Sequence, residues 1–497
     1  MVFSLLENQL KEAAEWSLSR YLISNAIFLS ERLLAEPSPQ EEDREAKLNL
    51  LARCFLAEQS PHKMILLLKG SESAENAYLY ALALFQVSSY DEAEGVLMRR
   101  SGSLGADGFF LLGQICERQS RFQDAVGHYQ RALRQEPTLW SAFERLCKLG
   151  CPVEAYSAFG GKSSSPVQKL LLSLGEAYQA LTQYKLDEAA DLLHSLPDPQ
   201  KNSGWGLCQL GRCYFEKYDF IGAIDYFQRG FQESPYRVED IDIFSSALWY
   251  EKKSSELCYL LHNKLKHAYY APQTWVTAGN FYSLQKERDT AIKCFNRAIQ
   301  LNPFHSYAYC LCGHEHLANE DLEQAKIHYE SAKNIDPRQY TALWGLGSLF
   351  FKQEKYTQSL ECYKSARNIN PQSSILLTYL GVNYKSLNCF AEAITCFNDA
   401  IKVDKKNPLP RFQLGVLLHA MNRDEEALEH LELLCKENAR ESHLYIQIGK
   451  IYAKLGKPDI ALKYYNDAQE LNPKCNTEVK NLIEQLHGTS SISLIPY

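Results

Sequence analysis

Small and apolar residues recur at a fixed interval along the C-terminal part of the chain. Six glycines stand 34 residues apart, and an alanine or a serine follows each of them after twelve residues. Aromatic residues and a closing proline recur in the same phase in most of the six segments. The pattern predicts two amphipathic helices in each segment. The glycines are Gly279, Gly313, Gly347, Gly381, Gly415 and Gly449.

A 34-residue period that carries these residue types is the signature of the tetratricopeptide repeat, a pair of helices named A and B. Gly279 and Ala291 are expected where the two helices cross, because only small side chains allow that approach. Tyr282 and Phe295 are expected to fill the space beside them, and Pro303 to stop helix B. One repeat cannot bury its apolar face alone, so the repeats are expected to stack into a superhelix.

The N-terminal part of the chain repeats less regularly. Residues 109–137 fit the repeat well, whereas the segments before them read as shorter helix pairs. The stretch GGKSSSP combines glycine, serine and proline, and is therefore predicted to be a linker. We expect an all-α tetratricopeptide superhelix (an α-solenoid) of about fourteen helix pairs, about five before the linker and about nine after it. The predicted limits are 1–159 for an N-terminal dimerisation array, 160–166 for the linker, 167–475 for a C-terminal array with a peptide groove, and 476–497 for a capping helix and tail.

Composition and charge exclude several classes of protein. The net charge of −7 gives no basic surplus for nucleic acid. No run of 18 uncharged apolar residues exists, and the N-terminal helix pattern carries charges, so neither a membrane span nor a signal peptide is expected. The 15 cysteines are scattered and form no CxxC pair, which favours reduced core thiols inside the cell over a zinc site.

No motif of enzymatic chemistry is present. The sequence lacks the phosphate-binding, zinc-protease, nucleophile-elbow and protein-kinase patterns. His314 and His316 in the stretch GHEH stand two residues apart on a helix, hence on different faces, which argues against a metal site. Acidic clusters are most simply solvated helix faces. We therefore predict no enzyme activity, no catalytic residue, no metal and no cofactor.

The inner surface of the superhelix is the remaining candidate site. Counting the repeat glycine as position 8, helix A lines this surface with positions 2, 5, 9 and 12. The resulting lining is rich in aromatic residues with a few donors, and suits an extended peptide. Taken alone, each of these residues is more simply interpreted as a packing residue, with Asn280 as the exception: its amide is the best candidate for a peptide contact. The predicted lining includes Arg212, Asn280, Ser283, His314, Trp344 and Phe351.

Two binding functions compete for such a groove. A chaperone-type clamp for an acidic C-terminus needs lysine at position 5 and asparagine at position 9, with further cations two repeats on. Asn280 fits, but position 5 is Val276, and Thr341 and Gly345 stand where cations belong. The charges of the clamp are missing, so a scaffold with a peptide groove is the favoured interpretation.

Specific strings resemble one family beyond the repeat consensus. Residues 202–216 (NSGWGLCQLGRCYFE), 236–257 (YRVEDIDIFSSALWYEKKSSEL) and 279–303 (GNFYSLQKERDTAIKCFNRAIQLNP) are similar to the subunit 3 family of the anaphase-promoting complex, the cell division cycle protein 27 family. LWSAFERLCKLG and AIFLSERLLAE resemble its N-terminal half. The family usually carries a long insert between its halves, where this chain has only GGKSSSP and its flanks, so phospho-regulation in that insert is in doubt.

This resemblance implies a non-catalytic scaffold subunit of a ubiquitin ligase that acts in mitosis and cell division. It implies a homodimer formed by the N-terminal repeats, other subunits of the complex as partners, and a location in the nucleus and cytoplasm. It also implies a C-terminal groove for the Ile-Arg tails of activator proteins. In that groove Asn280 and His314 are expected to donate to the tail, Trp344 and Phe351 to give apolar surface, and Glu315 or Glu216 to accept from the guanidinium.

Overall fold

The computed structural model describes residues 2–37, 40–71, 73–100, 102, 104–151, 154–159, 165–436, 441–472 and 476–492. All regular secondary structure in these ranges is helical, which confirms the all-α prediction. In the same ranges no helix combines the length and the apolar character needed to cross a bilayer. The helices group into two compact units, Met1–Thr182 with Glu188–Pro197, and Gln183–Asp187 with Asp198–Tyr497.

The helices of the first unit are α1 (Val2–Ser19), α2 (Ile23–Ala35), α3 (Glu41–Ala57), α4 (Pro61–Leu68), α5 (Ala74–Gln86), α6 (Tyr90–Met98), α7 (Ala106–Arg118), α8 (Phe122–Gln135), α9 (Trp140–Lys148), α10 (Ala155–Phe159), α11 (Pro166–Thr182) and α12 (Leu186–Ser195). The first two residues of α12 belong to the second unit.

The helices of the second unit are α13 (Asp198–Lys201), α14 (Gly204–Glu216), α15 (Phe220–Glu233), α16 (Ile241–Tyr250), α17 (Ser254–His267), α18 (Pro272–Leu284), α19 (Arg288–Leu301), α20 (Ser306–Ala318), α21 (Leu322–Ile335), α22 (Tyr340–Lys352), α23 (Tyr356–Ile369), α24 (Ser374–Ser386), α25 (Phe390–Val403), α26 (Pro408–Ala420), α27 (Asp424–Lys436), α28 (Ser442–Lys454), α29 (Pro458–Leu471) and α30 (Asn476–Ile492).

The described helices form fourteen consecutive pairs, with α13 and α30 left over. Five pairs precede residues 160–166 and nine follow, as the sequence predicts. Residues 160–164 of the predicted linker lie outside the described residues. The helices on its two sides, α10 and α11, pack against each other within the first unit. The predicted domain limits therefore stay a prediction. At the C-terminus α30 packs on α29 and extends to Ile492, into the predicted tail, and residues 493–497 lie outside the described part.

The two helices of a repeat pack closely against each other at the repeat glycine. A Cβ atom added to Gly347 would lie 2.6 Å from Cε1 of Tyr363, whose ring is buried. Gly279 meets the ring of Phe295 in the same way, and Tyr282 packs beside that ring, as predicted. Interiors are close-packed, so no side chain fits between helix and ring. The glycines that face an aromatic ring of their own repeat are Gly113, Gly211, Gly279, Gly313, Gly347, Gly381 and Gly449.

In the turn between helices A and B, the residue at one position of the repeat adopts a left-handed backbone conformation. Lys286 has φ 66°, and its N–H donates to the carbonyl of Ser283 while the N–H of Glu287 donates to the carbonyl of Tyr282. These two bonds are those of a Schellman cap, which satisfies the last carbonyls of helix A. Residues 34 and 68 positions later, Glu320 and Glu354, adopt the same conformation. Each repeat thus reverses direction in the same geometry.

We expect Gly347→Ala to lower the free energy of unfolding of the second unit by about 1–3 kcal/mol, because the new methyl group overpacks the Tyr363 ring. The matched control is Gly127→Ala, in α8, where an added Cβ meets no heavy atom within 4 Å. That change is expected to be neutral or to stabilise by up to about 1 kcal/mol. Thermal unfolding followed by far-UV circular dichroism measures both, and equal midpoints for the two variants would refute this packing.

Candidate peptide-binding groove

Helices A of successive repeats lie side by side in the second unit. Contacts join α14 to α16, α16 to α18, and α20 to α22. We call the surface that α14, α16, α18, α20 and α22 share the groove. Position 5 was also predicted to line it, but Val276 and Cys310, which occupy position 5 of successive repeats, are fully buried and belong to the apolar core instead. The polar and aromatic lining residues carry the chemistry of the groove.

Residues far apart in the sequence meet across the groove. The hydroxyl of Tyr340 donates to Oε2 of Glu216 at 2.8 Å, and the hydroxyls of Tyr218 and Ser373 lie 3.2 Å apart. The ring of Tyr184 meets that of Tyr340 edge to face at 5.5 Å. These residues are separated by 124 and 155 positions along the chain. The second unit therefore curves enough to bring its first and fifth helix pairs into contact.

The Glu216 carboxylate lies in an enclosed, largely aromatic environment. Burial raises its pKa, and neither the hydrogen bond from Tyr340 nor the nearby charge of Arg212 offsets this effect. Arg212 itself lies 3.6 Å from Oδ1 of Asp240, and Arg237 donates to the other carboxylate oxygen, Oδ2, at 2.8 Å. An additional cation stabilises the ionised form of a buried carboxylate more than it stabilises that of a solvated carboxylate.

Asp242 is a groove acid that the sequence analysis did not name. Its Oδ2 lies 3.3 Å from Nε2 of His305, and its Oδ1 accepts from the N–H of Ile243. Because Nδ1 of His305 accepts from the N–H of Ala308, Nε2 carries the ring proton and donates to Asp242. Burial raises the pKa of Asp242, but His305 and Ile243 together hold it below its usual value. Counting back 34 residues from Val276 reaches Asp242, so position 5 of the irregular repeat was the signal.

Asn280 ties helix α18 to the preceding repeat. Its side-chain nitrogen donates to Oγ of Ser245 at 2.8 Å and to Oγ of Ser246 at 3.1 Å. The residue is only 4% exposed. Ser246 is also hydrogen-bonded to the hydroxyl of Tyr307 at 2.8 Å. Both amide protons that the sequence analysis assigned to a peptide are thus used within the protein.

Ser283 and Glu315 form a second link between repeats. The indole N–H of Trp249 donates to Ser283, and Ser283 donates to Oε1 of Glu315 at 2.6 Å. Burial raises the pKa of Glu315, with Ser283 and the charge of Arg288 acting in the opposite direction. The chain of bonds runs from α16 through α18 to α20. Ser283 and Glu315, both predicted to belong to the groove, are therefore in direct contact.

His314 and Trp344 form the aromatic part of the groove. Burial lowers the pKa of His314 to about 4, so its imidazole is neutral at physiological pH, and Nδ1 lies 2.6 Å from the hydroxyl of Tyr329. The Trp344 ring meets the His314 ring edge to face at 5.5 Å. Its indole N–H is buried and has no acceptor among the described residues. The ring contact of Phe351 is with Tyr356, not with another predicted residue.

The buried N–H of Trp344, which has no acceptor in the described part of the chain, and the raised pKa values of Glu216 and Glu315 reflect groups that destabilise the protein in the absence of a ligand. A buried N–H without an acceptor costs about 1–3 kcal/mol. Such groups are more consistent with a surface that meets a polar or charged ligand than with a purely structural interior.

Comparisons with known proteins agree with the fold and the resemblance. Residues 19–100 match the family described as anaphase-promoting complex, cyclosome, subunit 3. Tetratricopeptide models match residues 74–139, 272–305, 306–339 and 442–475. Anaphase-promoting complex subunit 3 of Schizosaccharomyces pombe is 42% identical over 193 residues, which are 39% of this chain and 29% of that protein. The chain is a tetratricopeptide-repeat relative of anaphase-promoting complex subunit 3.

Other relatives are named as homologs of cell division cycle protein 27. Cell division cycle protein 27 homolog A of Arabidopsis thaliana is 24% identical over an alignment that covers 65% of this chain and 76% of that protein. The human cell division cycle protein 27 homolog is 40% identical over 137 residues, or 28% of this chain and 17% of that protein. The more identical relatives, at 38–42%, are matched over less than a third of their own length.

A solved structure shares the fold along nearly the whole chain. The crystal structure of the APC/C hetero-tetramer Cut9–Hcn1 matches with a TM-score of 0.74 and covers 97% of this chain and 96% of that one. The sequences are 18% identical, so the likeness establishes the all-α repeat fold alone. Together with the repeat matches it confirms the fold class predicted for this subunit 3 relative.

We expect Glu216→Gln to stabilise the protein more as the pH rises. The carboxyl has a raised pKa in the fold, so the stability it confers is complete below its unfolded pKa, near 4.5, and is lost as the pH increases through the raised value. Glutamine keeps an acceptor for Tyr340 and has no charge to bury. The gain in melting temperature over wild type should therefore be larger at neutral pH than near pH 4.5.

The matched control is Glu323→Gln, on the exposed surface of α21, which should give a small difference at both pH values. A Glu216→Gln gain that is equal at the two pH values, or larger at the acid one, would contradict the burial of this carboxylate.

Proposed function

We propose that this chain is a non-catalytic scaffold subunit of an anaphase-promoting complex, a ubiquitin ligase of the cell cycle, and that its groove binds the C-terminal Ile-Arg tail of activator proteins. The similarity of residues 19–100 to the subunit 3 family and the 42% identity over 193 residues to subunit 3 of Schizosaccharomyces pombe support this assignment. Its partners would be other subunits of the complex, activator proteins and a second copy of itself. Its location would be the nucleus and cytoplasm.

The enclosed Glu216 carboxylate carries the groove proposal. An arginine tail brings a guanidinium, and a carboxylate with raised pKa and a fixed Tyr340 contact is a suitable acceptor for it. Asp242, already oriented by His305, is a second acceptor in the same groove. Glu315 is the weaker candidate, because its carboxylate is less enclosed than that of Glu216.

The aromatic part of the groove fits the rest of such a tail. Trp344 offers an indole N–H that has no acceptor within the described protein, and the tail's terminal carboxylate would supply one. His314, neutral at physiological pH, offers a ring face with no positive charge to repel the arginine. Asn280 would act indirectly, since its amide positions Ser245 and Ser246 at the groove floor.

A fluorescently labelled peptide that ends in Ile-Arg should bind the full chain in an anisotropy titration. Glu216→Gln is expected to weaken binding at least tenfold, because a hydrogen bond to a charged group contributes about 1.5–3 kcal/mol. Trp344→Phe, which removes the N–H and keeps a ring, is expected to weaken it severalfold.

Glu323→Gln serves as the control for charge, and should bind the peptide as wild type does. A peptide with an amidated C-terminus should bind more weakly to wild type and be little affected by Trp344→Phe. If Glu216→Gln and Trp344→Phe both bind the tail with wild-type affinity, the peptide does not use this groove.

The homodimer belongs to the same proposal, and the first unit exposes apolar side chains that support it. Tyr21 is 82% exposed and Phe28 is 56% exposed, on the first helix pair. We expect the full chain to sediment at twice the mass of one chain, and the double variant Tyr21→Asp with Phe28→Asp to sediment as one. Tyr236→Asp, at an equally exposed position of the second unit, should remain a dimer. A wild-type protein that is monomeric at tens of micromolar would contradict dimerisation.

A further inference from the structure

A cysteine and two histidines converge in the repeat formed by α20 and α21. Cys312 and His316 lie on α20, and His328 lies on α21. One ligand atom of each, a thiol sulfur and two ring nitrogens, all lie within 4.8 Å of one another. Cys312 is buried, and the two histidines are half-buried. The groove residues described above do not include any of the three.

The spacing of these residues fits a metal site. Cys312 and His316 are four residues apart, so their side chains share one face of α20. Sγ of Cys312 lies 3.6 Å from Nε2 of His328, and the two imidazole centres are 5.1 Å apart. In a tetrahedral zinc site with Zn–S of about 2.3 Å and Zn–N of about 2.0–2.1 Å, the sulfur and nitrogen are about 3.6 Å apart. The Cys312–His328 pair already has this separation, and the ligand atom of His316 lies within 4.8 Å of both.

A carboxylate is in place to orient one of the histidines. Oδ2 of Asp321 lies 3.5 Å from Nδ1 of His316. The other oxygen of Asp321 accepts from the N–H of Gln324 and caps the N-terminus of α21. The cap fixes the carboxylate, and a carboxylate on the second ring nitrogen is the usual outer partner of a metal-binding histidine.

We propose that Cys312, His316 and His328 bind one Zn²⁺ ion, with water as the fourth ligand and Asp321 as the residue that orients His316. A mixed set of one sulfur and two imidazole donors suits zinc, whereas magnesium and calcium prefer oxygen. On binding, the Cys312 thiol gives up its proton to solvent and the thiolate forms the metal–sulfur bond. The ion joins helix A to helix B of the repeat whose opposite face carries His314.

The repeat pattern provides a matched control within the chain. His430 stands 102 residues after His328, which is three repeat lengths, and is half-buried like it. In that repeat Leu414 and Leu418 occupy the places of Cys312 and His316. His430→Gln thus removes an imidazole from the same position of a repeat that offers no thiol.

The test is metal binding by the full chain, first stripped with a chelator and then titrated with Zn²⁺ against a metal indicator. We expect one equivalent to bind, and Cys312→Ser and His328→Gln each to weaken binding at least tenfold. Asp321→Asn should weaken it about tenfold. His430→Gln should bind as wild type. Cobalt(II) in place of zinc should give a thiolate charge-transfer band that Cys312→Ser abolishes.

Unfolding measurements keep the test independent of damage to the fold. Zn²⁺ should raise the melting temperature of wild type and His430→Gln, and should leave that of Cys312→Ser and His328→Gln unchanged, with all four showing the same helical content. The proposal fails if wild type binds no stoichiometric zinc. It also fails if both ligand variants, folded, bind the ion as tightly as wild type.

Discussion

The close approach of helix A to helix B in each repeat is the constraint on which the rest of the structure depends. Glycine is needed opposite a buried ring, as at Gly347 and Tyr363, because a single added carbon atom would overlap the ring. This approach sets the angle and separation of the pair. Repetition of the pair then places neighbouring helices A, such as α16 and α18, side by side, and the remaining positions of α14, α16, α18, α20 and α22 form the groove.

Polar side chains that would be costly in an ordinary core are held in the groove by bonds between neighbouring repeats. Asn280 is bonded to two serines of the preceding repeat, and Ser283 links Trp249 to Glu315. Two groups remain less well satisfied, the Glu216 carboxylate and the indole N–H of Trp344. Both reduce the stability of the protein alone, and both would be compensated by a ligand with a cation and a carboxylate.

The periodic part of this architecture could be predicted from the sequence, and the irregular part could not. The phase of Gly279 and its equivalents gave the helix pairs and the packing of Phe295. Asp242 was missed because its repeat has Ser245 in place of the glycine, so the repeat positions could not be counted from a glycine there. The contact of Tyr340 with Glu216 depends on curvature accumulated over 124 residues, which no local pattern contains. The convergence of Cys312 and His316 with His328 was missed because His316 was compared with His314, and not with Cys312, which shares its helix face.

The most direct test of this account is a crystal structure of the full chain bound to a peptide that ends in Ile-Arg. The account predicts the peptide on the inner surface of the second unit, with its guanidinium at the Glu216 carboxylate beside Tyr340, and its terminal carboxylate within hydrogen-bonding distance of Nε1 of Trp344. A peptide bound to the outer helices B, or to residues 1–182, with both groups left as they are in the protein alone, would contradict it.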